Sequence, residues 1–230
     1  MFQMMQLSRI FCPALLSVTF FLTIPTDGRP QTCPAACQCK IPWALCKEGR
    51  IKDLAGFLNT KVTALSLHEY DIGTLESNSF SELQIPIWKL QILNSNLHTI
   101  KRNAFTGLNK IEGLDLVRNN IQNIEGDAFA GLPHLSTINL QTNKIKELQP
   151  QMFEGLKLTH LNLDHNLLTT LNPKVFKNIG LITVRDNPLH CDCKLKEVEN
   201  ILSNKISGAT CSSPEDMRDK DWSELRKLNC

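Results

Sequence analysis

Three sets of residues in this sequence have the types and spacing to do chemistry. His190, Cys191, Asp192 and Cys193 stand together, with Cys211 and Cys230 downstream, a set suited to ligating zinc or to closing disulfides. His160, Asp164 and His165 fall close together and could hold a metal or titrate near neutral pH. Cys33, Cys37, Cys39 and Cys46 space as C-x3-C-x-C-x6-C. Catalytic signatures are missing: there is no Gly-rich phosphate loop, no G-x-S-x-G elbow and no H-E-x-x-H. Enzymatic function is the weakest reading, and no residue is assigned as catalytic.

The choice between zinc and disulfides turns on compartment. Residues 1–28 read as a short polar start with Arg9, an apolar run Ile10–Pro25, and small residues at Thr26 and Gly28. This is the build of a secretory signal peptide cleaved between Gly28 and Arg29. The run is too short and too flanked by proline for a membrane span of about twenty apolar residues. No later stretch qualifies as a span or as a lipid-anchor tail, so no stable membrane insertion is expected. Localisation is expected in the extracellular space or matrix. Of the nine cysteines, Cys12 leaves with the leader and eight remain, in two groups of four. An even count in an oxidising compartment favours disulfides over a metal, although spacing alone leaves three pairings open within each group. We therefore expect no metal and no cofactor, and read His160, Asp164 and His165 as polar surface.

The elements that must position these residues come from a repeat. Phe80, Phe105, Phe129, Phe153 and Phe176 are separated by 25, 24, 24 and 23 residues. After each of the last four stands an aligned segment: Ile111-x-x-Leu114-x-Leu116-x-x-Asn119-x-Ile121, then copies starting at Leu135, Leu158 and Ile179. Earlier copies start at Val62 and Ile87, with Tyr70 and Ser95 in place of the asparagine. This is the leucine-rich-repeat pattern, and its two-residue alternation excludes amphipathic helices. Each copy predicts one short strand, and six stacked copies predict a parallel sheet on the concave side of an α/β solenoid. Leu114 and Leu116 point inward. The asparagines should satisfy buried backbone groups where each strand ends, and the phenylalanines should form a spine in the core. The larger Tyr70 implies an irregular first turn against the N-terminal cap. The resulting division is a signal peptide over 1–28, an N-terminal cysteine-rich cap over 29–61, six repeats over 62–189 and a C-terminal cap over 190–230.

The two cysteine groups flanking the repeats, with Asn187-Pro188-Leu189-His190-Cys191-Asp192-Cys193 opening the second, resemble the secreted, cysteine-capped leucine-rich-repeat family that includes Slit, the Nogo receptor and the variable lymphocyte receptors. The resemblance covers nearly all of the chain beyond the leader. It implies the pairs Cys33–Cys39, Cys37–Cys46, Cys191–Cys211 and Cys193–Cys230. Small proteoglycans share the first cysteine spacing but not the second. Toll-like receptors add a membrane span and a signalling domain that are not expected here. Trp43 and Trp222 fall inside the caps and read as cap core. No N-x-S/T sequon occurs, so no N-glycan is expected to cover either face.

Function in such a solenoid is expected on the concave sheet, at the third, fifth, seventh and eighth positions of each copy. The candidate binding residues there are Trp88, Lys89, Gln91, Asp115, Arg118, Asn139, Gln141, His160, Asn162, Asp164 and Arg185. Trp88, at the start of the second strand, is either a binding hot spot or packed around Tyr70. The face is polar, mixed in charge and rich in amides, which suits a protein partner better than a lipid. With 25 Lys and Arg against 23 Asp and Glu, and no basic run, nucleic acid and polyanions are not indicated. The expected function is recognition of an extracellular protein: a receptor, a matrix component or a microbial surface. The alternative is a non-catalytic scaffold subunit of a secreted complex. Homodimerisation and hetero-complex formation both remain open.

Overall fold

A computed structural model describes residues 33–56, 61–83 and 85–230. The signal-peptide reading of 1–28 and the start of the N-terminal cap lie outside the described residues. The first cap contributes the hairpin β1 (Cys37–Lys40) and β2 (Trp43–Lys47). The repeats contribute β3 (Ala64–His68), β4 (Gly73–Leu75), β5 (Lys89–Leu93), β6 (Leu97–Ile100), β7 (Gly113–Asp115) and β8 (Asn123–Ile124). They continue with β9 (Thr137–Asn139), β10 (Leu158–Asn162) and β11 (Ile179–Thr183). The second cap contains β12 (Leu189–His190), helix α1 (Cys193–Leu202), β13 (Ile206–Ser207) and β14 (Cys211–Ser213).

Each repeat gives one strand to a nine-stranded sheet in the order β1-β2-β3-β5-β7-β9-β10-β11-β13. Every neighbouring pair is parallel except the β1–β2 hairpin. Six of these strands come from the six repeats. The caps extend the same sheet at both ends, so neither solenoid end leaves an open repeat edge, which would invite unwanted pairing. The sequence did not disclose this, nor the second parallel sheet β4-β6-β8 on the return side. Pairing between β3 and β5 is regular over five residues, and the irregularity expected of the first turn falls later, between Gly73 and Thr74 of β4.

The core follows from the register. Leu65, Leu90, Leu114, Ile138, Leu161 and Ile182 form one buried column. Phe80, Phe105, Phe129 and Phe153 stack at centroid distances of 6.0, 5.6 and 5.7 Å with nearly parallel rings. Asn119, Asn143, Asn166 and Asn187 are buried. The Nδ2 of Asn143 donates to the carbonyls of Leu116, Leu140 and Gln141, while its Oδ1 accepts from the Ile121 N–H. One amide thus joins two successive turns and pairs four of their backbone groups. Ser95 does part of this work, its Oγ accepting from the Tyr70 N–H and donating to the Leu93 carbonyl. Tyr70 has the cap rather than a repeat before it, and its ring fills the space beside Gly49.

Sulfurs pair as Cys33–Cys39, Cys37–Cys46, Cys191–Cys211 and Cys193–Cys230, the pairs that the resemblance implied. Asp192, between two bonded cysteines, caps α1 by accepting from the Leu195 N–H at 2.9 Å. Glu199 of α1 is fully buried and accepts two hydrogen bonds from Arg226, tying the helix to the turn over Trp222–Lys227. Trp222 is buried in this cap. Trp43 is not cap core: its strand joins the main sheet and turns the half-buried ring outward onto the concave face.

Candidate functional site

Strand alternation sorts the outward residues of the large sheet into columns that run across the repeats. One column reads Trp43, Ala64, Lys89, Gly113, Thr137, His160 and Leu181, with Lys40 of β1 directly opposite Trp43. A second reads Leu45, Ser66, Gln91, Asp115, Asn139, Asn162 and Thr183. Lys89, Gln91, Asp115, Asn139, His160 and Asn162 therefore share one surface and are partly exposed. Gln141, Asp164 and Arg185 follow just beyond their strands.

The eighth position behaves differently. Glu69, Asn94, Arg118, Thr142, His165 and Asp186 all have φ between 51° and 59°. They form the left-handed turn by which each strand leaves the sheet, so Arg118 projects from the rim. The signal in sequence is weak, since only Asn94, His165 and Asp186 are residue types that favour this conformation.

Several candidate side chains also serve the fold. Asn139 Oδ1 accepts from the Gln141 N–H, and Asn162 Oδ1 from the Asp164 N–H, at 3.1 and 2.9 Å. Asp164 Oδ1 accepts from the Arg185 N–H at 2.8 Å. The Arg185 stem lies against Gly208 of the C-terminal cap. Gln91 Nε2 donates to Asp115 Oδ2 at 3.3 Å, while Asp115 Oδ1, His160 Nε2 and Thr183 Oγ1 are enclosed without a hydrogen-bond partner. His165 Nδ1 faces Asp186 Oδ2 at 3.3 Å rather than His160. Among the described residues no three His, Cys, Asp or Glu side chains converge as a metal site. His190, beside the cap cysteines, has its Nδ1 2.8 Å from Ser213 Oγ.

Trp88 packs on Trp43 rather than on Tyr70. The rings meet edge to face, with centroids 6.4 Å apart and planes at 69°. Strands β2 and β5 are separated by β3, hence by about 10 Å. The two indoles reach each other because β3 places the small Ala64 between them. Trp88 remains 42% exposed, and Ile41 in the β1–β2 turn is 59% exposed. On the opposite side, a hollow of about 700 Å³ is lined by polar side chains including Lys101, Glu125 and Lys146.

These features define a leucine-rich-repeat solenoid fold with disulfide-bonded caps and an open concave sheet. The profile of the leucine rich repeat family matches residues 87–145 and 133–187. Mouse (Mus musculus) Toll-like receptor 9 is 35% identical over 69 residues, covering 26% of this chain and 7% of the receptor. Mouse chondroadherin is 37% identical over 75 residues, covering 30% of this chain and 21% of chondroadherin. The chain thus spans less than a quarter of the length of either relative. The crystal structure of human trophoblast glycoprotein (Wnt-activated inhibitory factor 1) aligns with a TM-score of 0.47 at 19% identity, over 86% of this chain and 99% of that one.

Proposed function

We propose that this chain is a secreted binding module that recognises an extracellular protein through its concave sheet. The observation that carries the reading is the sheet itself: side chains in unbroken columns, mixed in polarity, spread over an open surface rather than gathered in a cavity. Extended surfaces of this kind suit macromolecular partners, whereas small ligands are held in enclosed, largely apolar pockets. Four disulfides support an oxidising compartment. Among the described residues no helix is long and apolar enough to cross a membrane. Being non-enzymatic is part of the same reading.

The test is capture from extracellular fluid of the source organism by tagged chain, comparing wild type with the Lys89→Glu/Arg118→Glu double variant and identifying partners by mass spectrometry. A partner held by wild type and lost by the variant supports the concave face. A partner held equally by both moves recognition to the convex side or the caps.

A further inference from the structure

Resting on the concave-face reading, we propose that the N-terminal third of this face docks an acidic, extended protein segment that seats an aromatic side chain against Trp43 and Trp88.

The charge pattern carries the first half of the argument. The outward columns of β1, β2, β3 and β5 contain three lysines, Lys40, Lys47 and Lys89, and no carboxylate. Among the described residues none of the three has a carboxylate within 4.0 Å. The first acid across the sheet is Asp115, already engaged by Gln91. Beyond it Asp164 and the rim Asp186 alternate with Arg118 and Arg185, and the rim at the N-terminal end carries Glu69, so the cationic excess belongs to the strand columns of β1, β2, β3 and β5 themselves. Unpaired cations at one end of a sheet attract carboxylates, and a bound partner that excludes water strengthens each pair.

The aromatic pair carries the second half. Trp88 holds an apolar surface in water, as does Ile41 in the turn two residues before Trp43, and aromatic side chains paired edge to face contribute beyond their buried area. Exposed tryptophan of this kind concentrates binding energy in protein interfaces.

Spacing then specifies the segment. From β1 to β5 is three strand intervals, so Lys40 and Lys89 sit on strands about 14 Å apart, with the indole pair between them. An extended chain covers about 3.3 Å per residue and presents alternate side chains on one face. Acids four residues apart with an aromatic midway, acid-x-aromatic-x-acid, match lysine, indole pair and lysine in turn.

The probe is a synthetic peptide, Ser-Gly-Glu-Ser-Phe-Ser-Glu-Gly-Ser, titrated by calorimetry and by tryptophan fluorescence, which reads Trp43 and Trp88 against the buried Trp222. Three comparison peptides carry Lys for Glu, Ser for Phe, or the two Glu adjacent. The Glu/Phe peptide is expected to bind at least about tenfold more tightly than each comparison, and to lose at least about tenfold on Trp88→Ala and on Lys40→Glu/Lys89→Glu. Equal binding of the Lys peptide, no binding up to millimolar concentration, or unchanged binding to Trp88→Ala overturns the proposal. So does binding of heparin that outcompetes the peptide and ignores Trp88→Ala, because it assigns the lysines to an anionic polysaccharide. The captured partner separates this proposal from the broader one. Retention by Trp88→Ala with loss by Asn139→Arg/Asn162→Arg keeps the concave face and rejects the aromatic site, whereas retention by every concave variant rejects both.

Discussion

Lys89 lies across Gly113. A Cβ built on Gly113 falls 2.9 Å from Lys89 Cδ and 3.1 Å from its Nζ, so the missing side chain on β7 is the space the lysine occupies. The two lysine atoms belong to the far end of a flexible side chain, which can move at little cost, and the third neighbour, Thr137 Oγ1 at 3.1 Å, has to give by only a few tenths of an ångström. Gly113→Ala should leave stability within about 0.5 kcal/mol of wild type while displacing the ammonium. Equal denaturant midpoints with weaker capture of a concave-face partner are the expected results. A large loss of stability would show that the strand cannot take a side chain there.

Gly107 presents the opposite case. Its φ is +101°, and a Cβ there would lie 2.5 Å from the backbone oxygen of Phe80, which has nowhere to go. Gly107→Ala should cost about 1–3 kcal/mol from backbone strain alone, with the clash added to it. Urea denaturation checks this, and a cost under half a kilocalorie would contradict the contact.

The asparagine ladder should be as sensitive. Asn143→Ala strands the Ile121 N–H and the carbonyls that Nδ2 now serves. Each buried group left unpaired costs about 1–3 kcal/mol, so a total loss of at least about 2 kcal/mol is expected. Asn143→Asp should be worse, because a carboxylate oxygen would face those carbonyls. Asn109, exposed and with no side-chain hydrogen-bond partner among the described residues, supplies the control, and its alanine variant should be nearly neutral.

How much of this was legible in the sequence follows from what repetition reveals. Leu114, Asn119 and Phe105 recur with a period, so their strand, ladder and spine could be read before any coordinates. Trp43 does not recur. Its place on the concave face depends on β2 pairing with β3, a contact between a cap and a repeat that no internal period encodes. The meeting of Trp43 with Trp88 depends further on Ala64 being small, two strands' worth of geometry that spacing along one chain does not express. The return-side sheet β4-β6-β8 was hidden for another reason: its strands are two to four residues long, too short to show alternation. Tyr70 was visible as a departure, and its cause, a cap where other repeats have a preceding repeat, became clear only with Gly49 beside it.

The buried carboxylate of Glu199 makes the C-terminal cap depend on a surface arginine. Arg226 Nε and Nη2 both donate to Glu199 Oε1, at 2.9 and 2.5 Å, while Oε2 is enclosed without a partner. Arg226→Met should lower the melting temperature by abandoning that charge. Adding Glu199→Leu should recover part or all of the loss, since an unpaired buried charge is worse than no charge. A double variant no more stable than the single one would show that the pair holds α1 by more than mutual neutralisation.

Tyr70 is the only tyrosine in the chain, so its ionisation can be followed alone in the ultraviolet tyrosinate band. Burial raises its pKa above the ordinary 10.0, and the nearby Asp53 charge adds to the shift. A raised pKa means that the folded state holds the phenolic proton more tightly than the unfolded chain. The associated stability is present in full below the unfolded value near 10 and is lost as pH rises through the folded value. The native midpoint should therefore lie above 10 and return to about 10 in denaturant. Tyr70→Phe should abolish the band and flatten the part of the alkaline stability loss that belongs to this group. A native midpoint at or below 10 would place the hydroxyl in water. The ring would then not be closing the gap between the first cap and the first repeat.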